Sequence, residues 1–433
     1  MVTPRLSQIG ERMSQLTGVR AIMKDIIETL ANTDVRWINL SAGNPLILPE
    51  VEQMWRDYTA KLLSEPAFGE ALCRYGSSQG YEPFIEVIAD HFRQTYGWNV
   101  TPQNVLVTPG SQSLYFFAAN SFGGVSAIGD DRSILLPLSP DYTGYNGASL
   151  NPDALVALQP TIQHLRDHRF KYVPKLDRLQ LDKSIGAILF SRPCNPSGNV
   201  MATVDVRRIA DRATQLSIPV LIDSAYAPPF PNLVFQDMDL VWGDTIIHCM
   251  SLSKAGLPGE RLGVAIGAPE LLAPLQAFQA NATIHSSRFG QAIAAKAIAS
   301  GQLATLAKTV IQPHYHHKRK RLEAAFDREM PQDIPWHLHV GEGGIFAWLW
   351  LQDCPHTDTE LYQVIKKEGT IVVPGQSFFP GLRDHWAHTR QCLRISLTAS
   401  VEDIEAGVAA IARAVTQAYN AEARAALQIS QAT

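Results

Sequence analysis

A lysine set between hydroxyl side chains and followed by an arginine is the strongest chemical signal in the chain. It lies in SLSKAGLPGERLG (251–263), between two predicted strands and therefore in a loop at a sheet edge. A lysine amine forms an imine with an aldehyde when its ammonium gives up a proton readily, and partial burial beside cations promotes that loss. Lys254 has a cationic neighbour in Arg261, whose guanidinium is suited to bidentate binding of a phosphate dianion, with Ser251 and Ser253 adding hydroxyl donors. Taken alone, the stretch reads equally well as a solvated loop of charged side chains.

Other candidate groups also follow apolar runs. In DSAYAPPF (223–230), Asp223 stands at the carboxyl end of a predicted strand, where open α/β sheets hold ligands. A carboxylate facing a pyridine nitrogen keeps that nitrogen protonated and makes the ring an electron sink, with Tyr226 a donor to a phenolic oxygen on the same ring. The competing explanation is an Asx turn that ends the strand. SRPCNPSGN (191–199) offers Asn195 as a second partner for that oxygen, although Asn-Pro is also a common turn initiator. In TPGSQSLYF (108–117) a strand enters a helix through Gly110, Ser111 and Gln112, and the free N–H groups of a helix start suit a phosphate. Simple capping by Ser111 is the alternative. Tyr142 in SPDYTGY can stack on a bound ring or fill the core. Arg394 lies in the apolar strand QCLRISL and needs an anionic partner, either a substrate carboxylate or a buried acidic side chain.

The elements that must position these groups read as an α/β layered sheet. Between about residues 104 and 270 the runs NVLVT, SILLPL, GAILF, VLID, IIHCM and LGVAIG alternate with segments of helical period. One is 204–216, where Val206, Ile209, Ala210 and Ala213 share a face and Thr203 is placed to cap the helix. The crossover helices imply a mostly parallel sheet. After Ala268 the pattern is helical, and beyond Ala324 GGIFAWLWLQ and CLRISLT read as strands of a smaller α+β unit closed by a helix from Val401.

Composition narrows the function further. The 433 residues carry 37 basic and 41 acidic side chains, a formal net charge of −4, which gives no general attraction to nucleic acid or anionic membrane. No apolar run approaches the roughly 18 residues of a membrane span, and residues 1–20 lack a secretory signal's apolar core. The five scattered cysteines (Cys73, Cys194, Cys249, Cys354 and Cys392) form no disulfide framework or metal motif. A cytoplasmic protein with a small-molecule partner and no metal is expected, with Cys194 a buried structural thiol.

The ordered set Gly-Ser-Gln, Pro-Asp-Tyr, Asn-Pro-Ser-Gly, Asp-Ser-Ala-Tyr, Ser-Leu-Ser-Lys, Arg261 and Arg394 resembles the fold-type I aminotransferases, which use pyridoxal 5′-phosphate, over essentially the whole chain. The longer segments SAGNPLILPE, CRYGSSQGYEPF, SRPCNPSGNV, SLSKAGLPGERLG and VPGQSFFPGL resemble the branch that exchanges an amino group between valine, or a related aliphatic amino acid, and pyruvate. The resemblance implies a large cofactor domain over 48–311, a small domain from 1–47 and 312–433, and a homodimer. It makes Lys254 both Schiff-base residue and proton shuttle. Gly110, Ser111, Gln112, Ser251, Ser253 and Arg261 would hold the phosphate, joined by Tyr75 from the neighbouring subunit. Tyr142 would stack on the ring, while Asn195, Asp223 and Tyr226 tune it. Arg394 would anchor the substrate carboxylate, with Asn195, Gly43 and Asn44 bordering the substrate. Ser286, Ser287 and Arg288, within 282–291, are candidates for reaching the partner's site.

Transamination with ping-pong kinetics is the expected chemistry. Carbon–sulfur lyases use the same fold and lysine and form the enzymatic alternative. Regulators in which such a domain follows a DNA-binding module are the non-enzymatic one. Here only about 40 residues precede SAGNP, which leaves that module no room.

Overall fold

The computed structural model describes residues 5–15 and 19–432. Of the expected 1–47 segment, residues 1–4 and 16–18 lie outside the described residues.

Alternation of apolar side chains builds a sheet that is buried on both faces. In Val105–Pro109, Val105 and Val107 face one apolar cluster and Leu106 the other, and in Val220–Asp223, Val220 and Ile222 oppose Leu221 in the same way. The sheet has eight strands. Its main path runs Val105–Pro109, Leu262–Ile266, Ile246–Ser251, Val220–Asp223, Ile185–Ser191 and Asp131–Leu136, with Leu155–Ala157 and Gly124–Val125 both pairing the last. Leu262–Ile266 is antiparallel to both neighbours, whereas the strands from Ile246–Ser251 through Asp131–Leu136 are parallel. Helices Ser111–Phe122 and Pro269–Thr283 cover one face through Leu114, Phe117, Leu272 and Leu275. Glu82–Tyr96, Thr203–Gln215 and Arg288–Ala299 cover the other.

The face Val206, Ile209, Ala210 and Ala213 is buried as its spacing predicts. Thr203, however, does not cap that helix. Ala202 occupies the cap position, and the Thr203 hydroxyl accepts instead from the buried Arg192 guanidinium at 2.8 Å. A guanidinium taken out of water needs acceptors more than a helix end open to water needs a cap, so Arg192 claims the hydroxyl.

A second, six-stranded sheet runs Val373–Pro374, Cys392–Ser396, Phe346–Leu351, Trp336–His339, Arg169–Val173 and Thr161–His164. Its last two strands come from within the 48–311 segment, so this sheet joins a hairpin from inside the first sheet's span to strands that follow it. The segment after Ile38–Asn39 is laid along it, with the Ser396 N–H donating to the Leu40 carbonyl at 2.8 Å. Among the described residues no helix is long and apolar enough to cross a membrane.

Candidate active site

The register of the first sheet lines up its chemistry along one edge. Ser191, Asp223 and Cys249 are direct neighbours on parallel strands, Ser251 lies opposite Gly263, and Leu262 lies opposite Pro109. Each of the loops predicted to carry chemistry therefore leaves the sheet at the same end. There a cavity of about 580 Å³ opens, and its lining includes Gly43, Asn44, Ser111, Gln112, Tyr142, Asn195, Asp223, Tyr226, Ser251, Ser253, Lys254, Arg261 and Arg394.

Lys254 sits in the short turn Ser253–Ala255 and donates to the Gly43 carbonyl. Burial, then the nearby Arg394 and Arg261, bring its pKa down to about 8, against a smaller opposing pull from Asp223. A free amine is thus available near neutral pH, as a nucleophilic lysine requires.

The Asp223 carboxyl is pushed up by burial, while Tyr115, the Ala225 N–H, Tyr145 and the charge of Lys254 act in the opposite direction. The Ala225 N–H reaches Oδ1 at 3.0 Å and the Tyr145 hydroxyl donates to Oδ2 at 3.0 Å. The Asx turn is therefore present, and the same residue also lines the cavity. A protonated ring nitrogen at this position would relieve the cost of burying the charge.

One end of the cavity is a helix start, Ser111–Phe122. Gly110 takes φ +80, and Ser111 is the first residue of the helix rather than a side-chain cap. The first-turn N–H groups are left for an anion. A side chain at Gly110 would meet the Arg261 guanidinium, so only glycine lets the two approach. Arg261 itself holds φ +51, an uncommon conformation for a residue with a side chain, and its Nη1 donates weakly to the Ser253 hydroxyl at 3.4 Å. The buried Gln112 Oε1 has no partner among the described residues, although the amide nitrogen reaches the Gly144 carbonyl at 3.0 Å.

Arg394 crosses from the second sheet, opposite Trp348 and Val373 in register, and is 7% exposed. Its Nη1 donates to Asn195 Oδ1 at 3.2 Å and Nη2 to the Ser41 carbonyl at 3.1 Å, while among the described residues Nε has no partner. Its guanidinium lies 4.0 Å from the Phe346 ring and 4.8 Å from that of Phe378. Burial lowers its pKa to about 10, with Tyr226 and Tyr142 pulling the other way. Among the described residues no carboxylate pairs with it, so the alternative of a buried structural acid is not what the fold supplies. A buried guanidinium with an idle N–H beside a cavity is suited to a ligand carboxylate.

Tyr75 lies elsewhere. It is 85% exposed, does not line the cavity, and meets His285 edge-on at 5.9 Å. Arg288 folds back on its own chain, over the Tyr81 ring at 4.9 Å and toward the Arg74 and Tyr75 carbonyls. Ser286 is buried and donates to the Val107 carbonyl at 3.0 Å, so its hydroxyl is spent within its own chain. Cys194 is buried, its thiol pushed well up by burial, which fits a structural residue.

Several contributors escaped the sequence reading. Tyr115 and Tyr145 surround Asp223, and nothing but the fold brings them there. The helix Val19–Leu30 is different, because Met23, Ile26, Ile27 and Leu30 recur at helical spacing and all line the cavity. That periodicity was available in the sequence. Asp25 on the same helix receives the Tyr362 hydroxyl at 2.7 Å and Lys366 at 2.9 Å, which fixes the helix against Asp358–Lys367.

Taken together, the set fits a phosphorylated aromatic aldehyde: an amine of lowered pKa, an uncapped helix start beside an arginine, a buried carboxylate at the cavity wall, and idle donors and acceptors lining the same space.

Comparisons with known proteins agree. Residues 162–411 match the family model for aminotransferase class I and II. The valine–pyruvate aminotransferase of Escherichia coli is 35% identical over 95% of this chain and 98% of its own length. A putative amino-acid aminotransferase from Psychrobacter arcticum superposes with a TM-score of 0.91 at 32% identity, covering 96% of this chain and all of that one (100%). Valine-pyruvate aminotransferase from Salmonella typhimurium superposes with a TM-score of 0.84 at 34% identity, covering 92% and 99%.

Proposed function

The chain belongs to the class I and II aminotransferases, enzymes of fold type I that depend on pyridoxal 5′-phosphate, and we propose that it exchanges an amino group between valine, or a related aliphatic amino acid, and pyruvate. Its small-molecule partners are an amino acid and a 2-oxo acid. The cofactor, when bound, supplies the aldehyde and the electron sink through which an amino group is taken up and passed on.

The chain's own residues do the rest. Lys254 would tether the cofactor and, once displaced by substrate, carry a proton between the substrate α-carbon and the cofactor carbon that bears nitrogen. Gly110, Ser111, Gln112, Ser251, Ser253 and Arg261 would hold the phosphate. Asp223 would keep the ring nitrogen protonated, Tyr226 and Asn195 would donate to the phenolic oxygen, and Tyr142 would stack on the ring. Arg394 would fix the substrate carboxylate, so that the α-carbon's bond to hydrogen faces the Lys254 amine. Asn195, Gly43 and Asn44 would border the substrate.

The observation that carries this reading is the buried Arg394, unpaired with any described carboxylate and opening on the same cavity as the low-pKa Lys254. The aliphatic preference is supported by Met23, Ile26, Ile27 and Leu30, which offer apolar surface at the cavity wall and no charge to a substrate side chain.

Tyr75, exposed on its own subunit and held by the Arg288 contacts to its loop, would complete the phosphate site of a second copy in a homodimer. The same reading takes 48–311 as the large domain, 1–47 with 312–433 as the small one, and the cytoplasm as the compartment.

A half-reaction screen tests the substrate. Purified holoenzyme is mixed with single amino acids while the cofactor absorbance is followed. Valine and alanine are expected to convert the spectrum at concentrations where aspartate and glutamate do not. Conversion by the acidic amino acids with none by valine or alanine would overturn the aliphatic assignment.

A further inference from the structure

Asp141, the middle residue of the Pro-Asp-Tyr motif, is buried (1% exposed) and has no described cation within ion-pair distance. Burying a carboxylate in this way is costly unless its oxygens are well used. They are. Oδ1 accepts from the Tyr142 N–H at 2.6 Å and from the Ser191 hydroxyl, and Oδ2 accepts from the Ser191 N–H at 3.0 Å. The Asp141 N–H donates to the Phe378 carbonyl at 2.8 Å.

These contacts reach both sides of the cavity. Tyr142 is the ring-stacking residue, and Ser191 ends the strand from which the Asn195 loop departs. Asn195 receives the Arg394 guanidinium, against which the Phe378 ring also packs. The carboxylate thus joins the loop of the ring-stacking residue to the loop of Asn195, and the Asp141 backbone N–H ties them to the segment that backs Arg394. Burial raises the Asp141 pKa to about 7, with its hydrogen bonds opposing that rise and Asp223 adding to it.

We propose that Asp141 is a positioning residue: by holding Tyr142 and Ser191 together, it sets the gap between the Tyr142 ring and the Asn195–Arg394 pair. That gap governs how the cofactor ring and the substrate carboxylate are aligned, so this inference rests on the transaminase reading of the cavity. Asparagine has nearly the shape of aspartate but turns one acceptor oxygen into an N–H donor facing a donor, which pushes one of the two loops away. Displacements of about 1 Å around a reacting centre are worth up to about 10²-fold in rate.

The test compares holoenzyme of the parent and of Asp141→Asn. Three quantities are read: the circular dichroism band of the bound cofactor without amino acid, the kcat and KM of transamination, and the thermal midpoint of the cofactor-free protein. The expected result is an altered cofactor band, a fall in kcat of about 10- to 100-fold with a smaller change in KM, and a midpoint close to the parent's. An unchanged band with unchanged kcat would overturn the proposal, as would losses that merely follow the fraction of protein folded. If Asp141→Asn does not fold, Ser191→Ala, which deletes one of the donors, must change the band and lower kcat in the same directions. A folded Ser191→Ala with parental band and kcat overturns the proposal. Because the band is read without amino acid, a failure of the aliphatic assignment leaves this comparison intact.

Discussion

Alanine in place of Lys254 is expected to lower the rate of transamination by about 10⁴-fold, the upper range for removing a positioned proton-transfer group. In the proposed mechanism the side chain serves as tether and as proton carrier, and among the described cavity-lining residues it is the sole lysine. Its pKa of about 8 depends on burial and on two guanidinium neighbours, a setting that a lysine elsewhere on the surface does not share. Steady-state assays with valine and pyruvate measure the loss, and the apparent folding midpoint serves as control. A small primary amine added to the variant should restore part of the rate, since it can carry the proton that the missing side chain carried. A variant that retains parental turnover would remove Lys254 from the mechanism.

Asp223→Asn is expected to cost about 10²- to 10³-fold in kcat, the scale seen when an oriented group that stabilises developing charge is removed. Asparagine keeps one oxygen for the Ala225 N–H, and its amide can donate to the Tyr145 hydroxyl, so the local turn should survive. In the proposed mechanism what is lost is the charge that would hold the ring nitrogen protonated, and with it the electron sink. The variant should therefore fold and take up cofactor while proton removal from the α-carbon slows. Substrate deuterated at that carbon makes the point measurable, with a larger isotope effect in the variant than in the parent. Unchanged kcat would show that Asp223 ends its strand and does nothing more.

The sheet and its edge were legible because strand ends are where sequence pattern and chemistry coincide. Apolar runs such as Val220–Asp223 announce themselves by composition, and the polar residue that follows each run must sit at the carboxyl edge whatever its role. That is why Lys254, Asp223 and Asn195, each at or just past the end of such a run, stand out in the sequence, and the cavity gathers them together with Arg261. Arg394 was visible for another reason: a charge in an apolar strand has to meet something.

The parts that escaped depend on long-range packing. Tyr145 reaches Asp223 across 78 residues of sequence, and neither residue type nor spacing marks it. Thr203 has the right identity for a helix cap, but the buried Arg192 guanidinium claims its hydroxyl instead. Ser286 resembled a residue free to reach a neighbour, yet its hydroxyl is taken by the sheet at Val107. The cavity face of Val19–Leu30 is a different matter, since its Met23, Ile26, Ile27 and Leu30 spacing is an ordinary helical signal. The hairpin 161–173 pairs with the second sheet because partner choice between two sheets is a property of topology rather than of local pattern.

The most direct test of the central claim is chemical. Borohydride reduces the bond between an enzyme's lysine and an aldehyde cofactor to a stable secondary amine, which survives digestion and can be mapped by mass spectrometry. Reduced holoenzyme is expected to carry the pyridoxyl mass on the peptide containing Lys254 and to lose activity in proportion to labelling. Label on any other lysine, or a fully active reduced enzyme with Lys254 unmodified, would contradict the account.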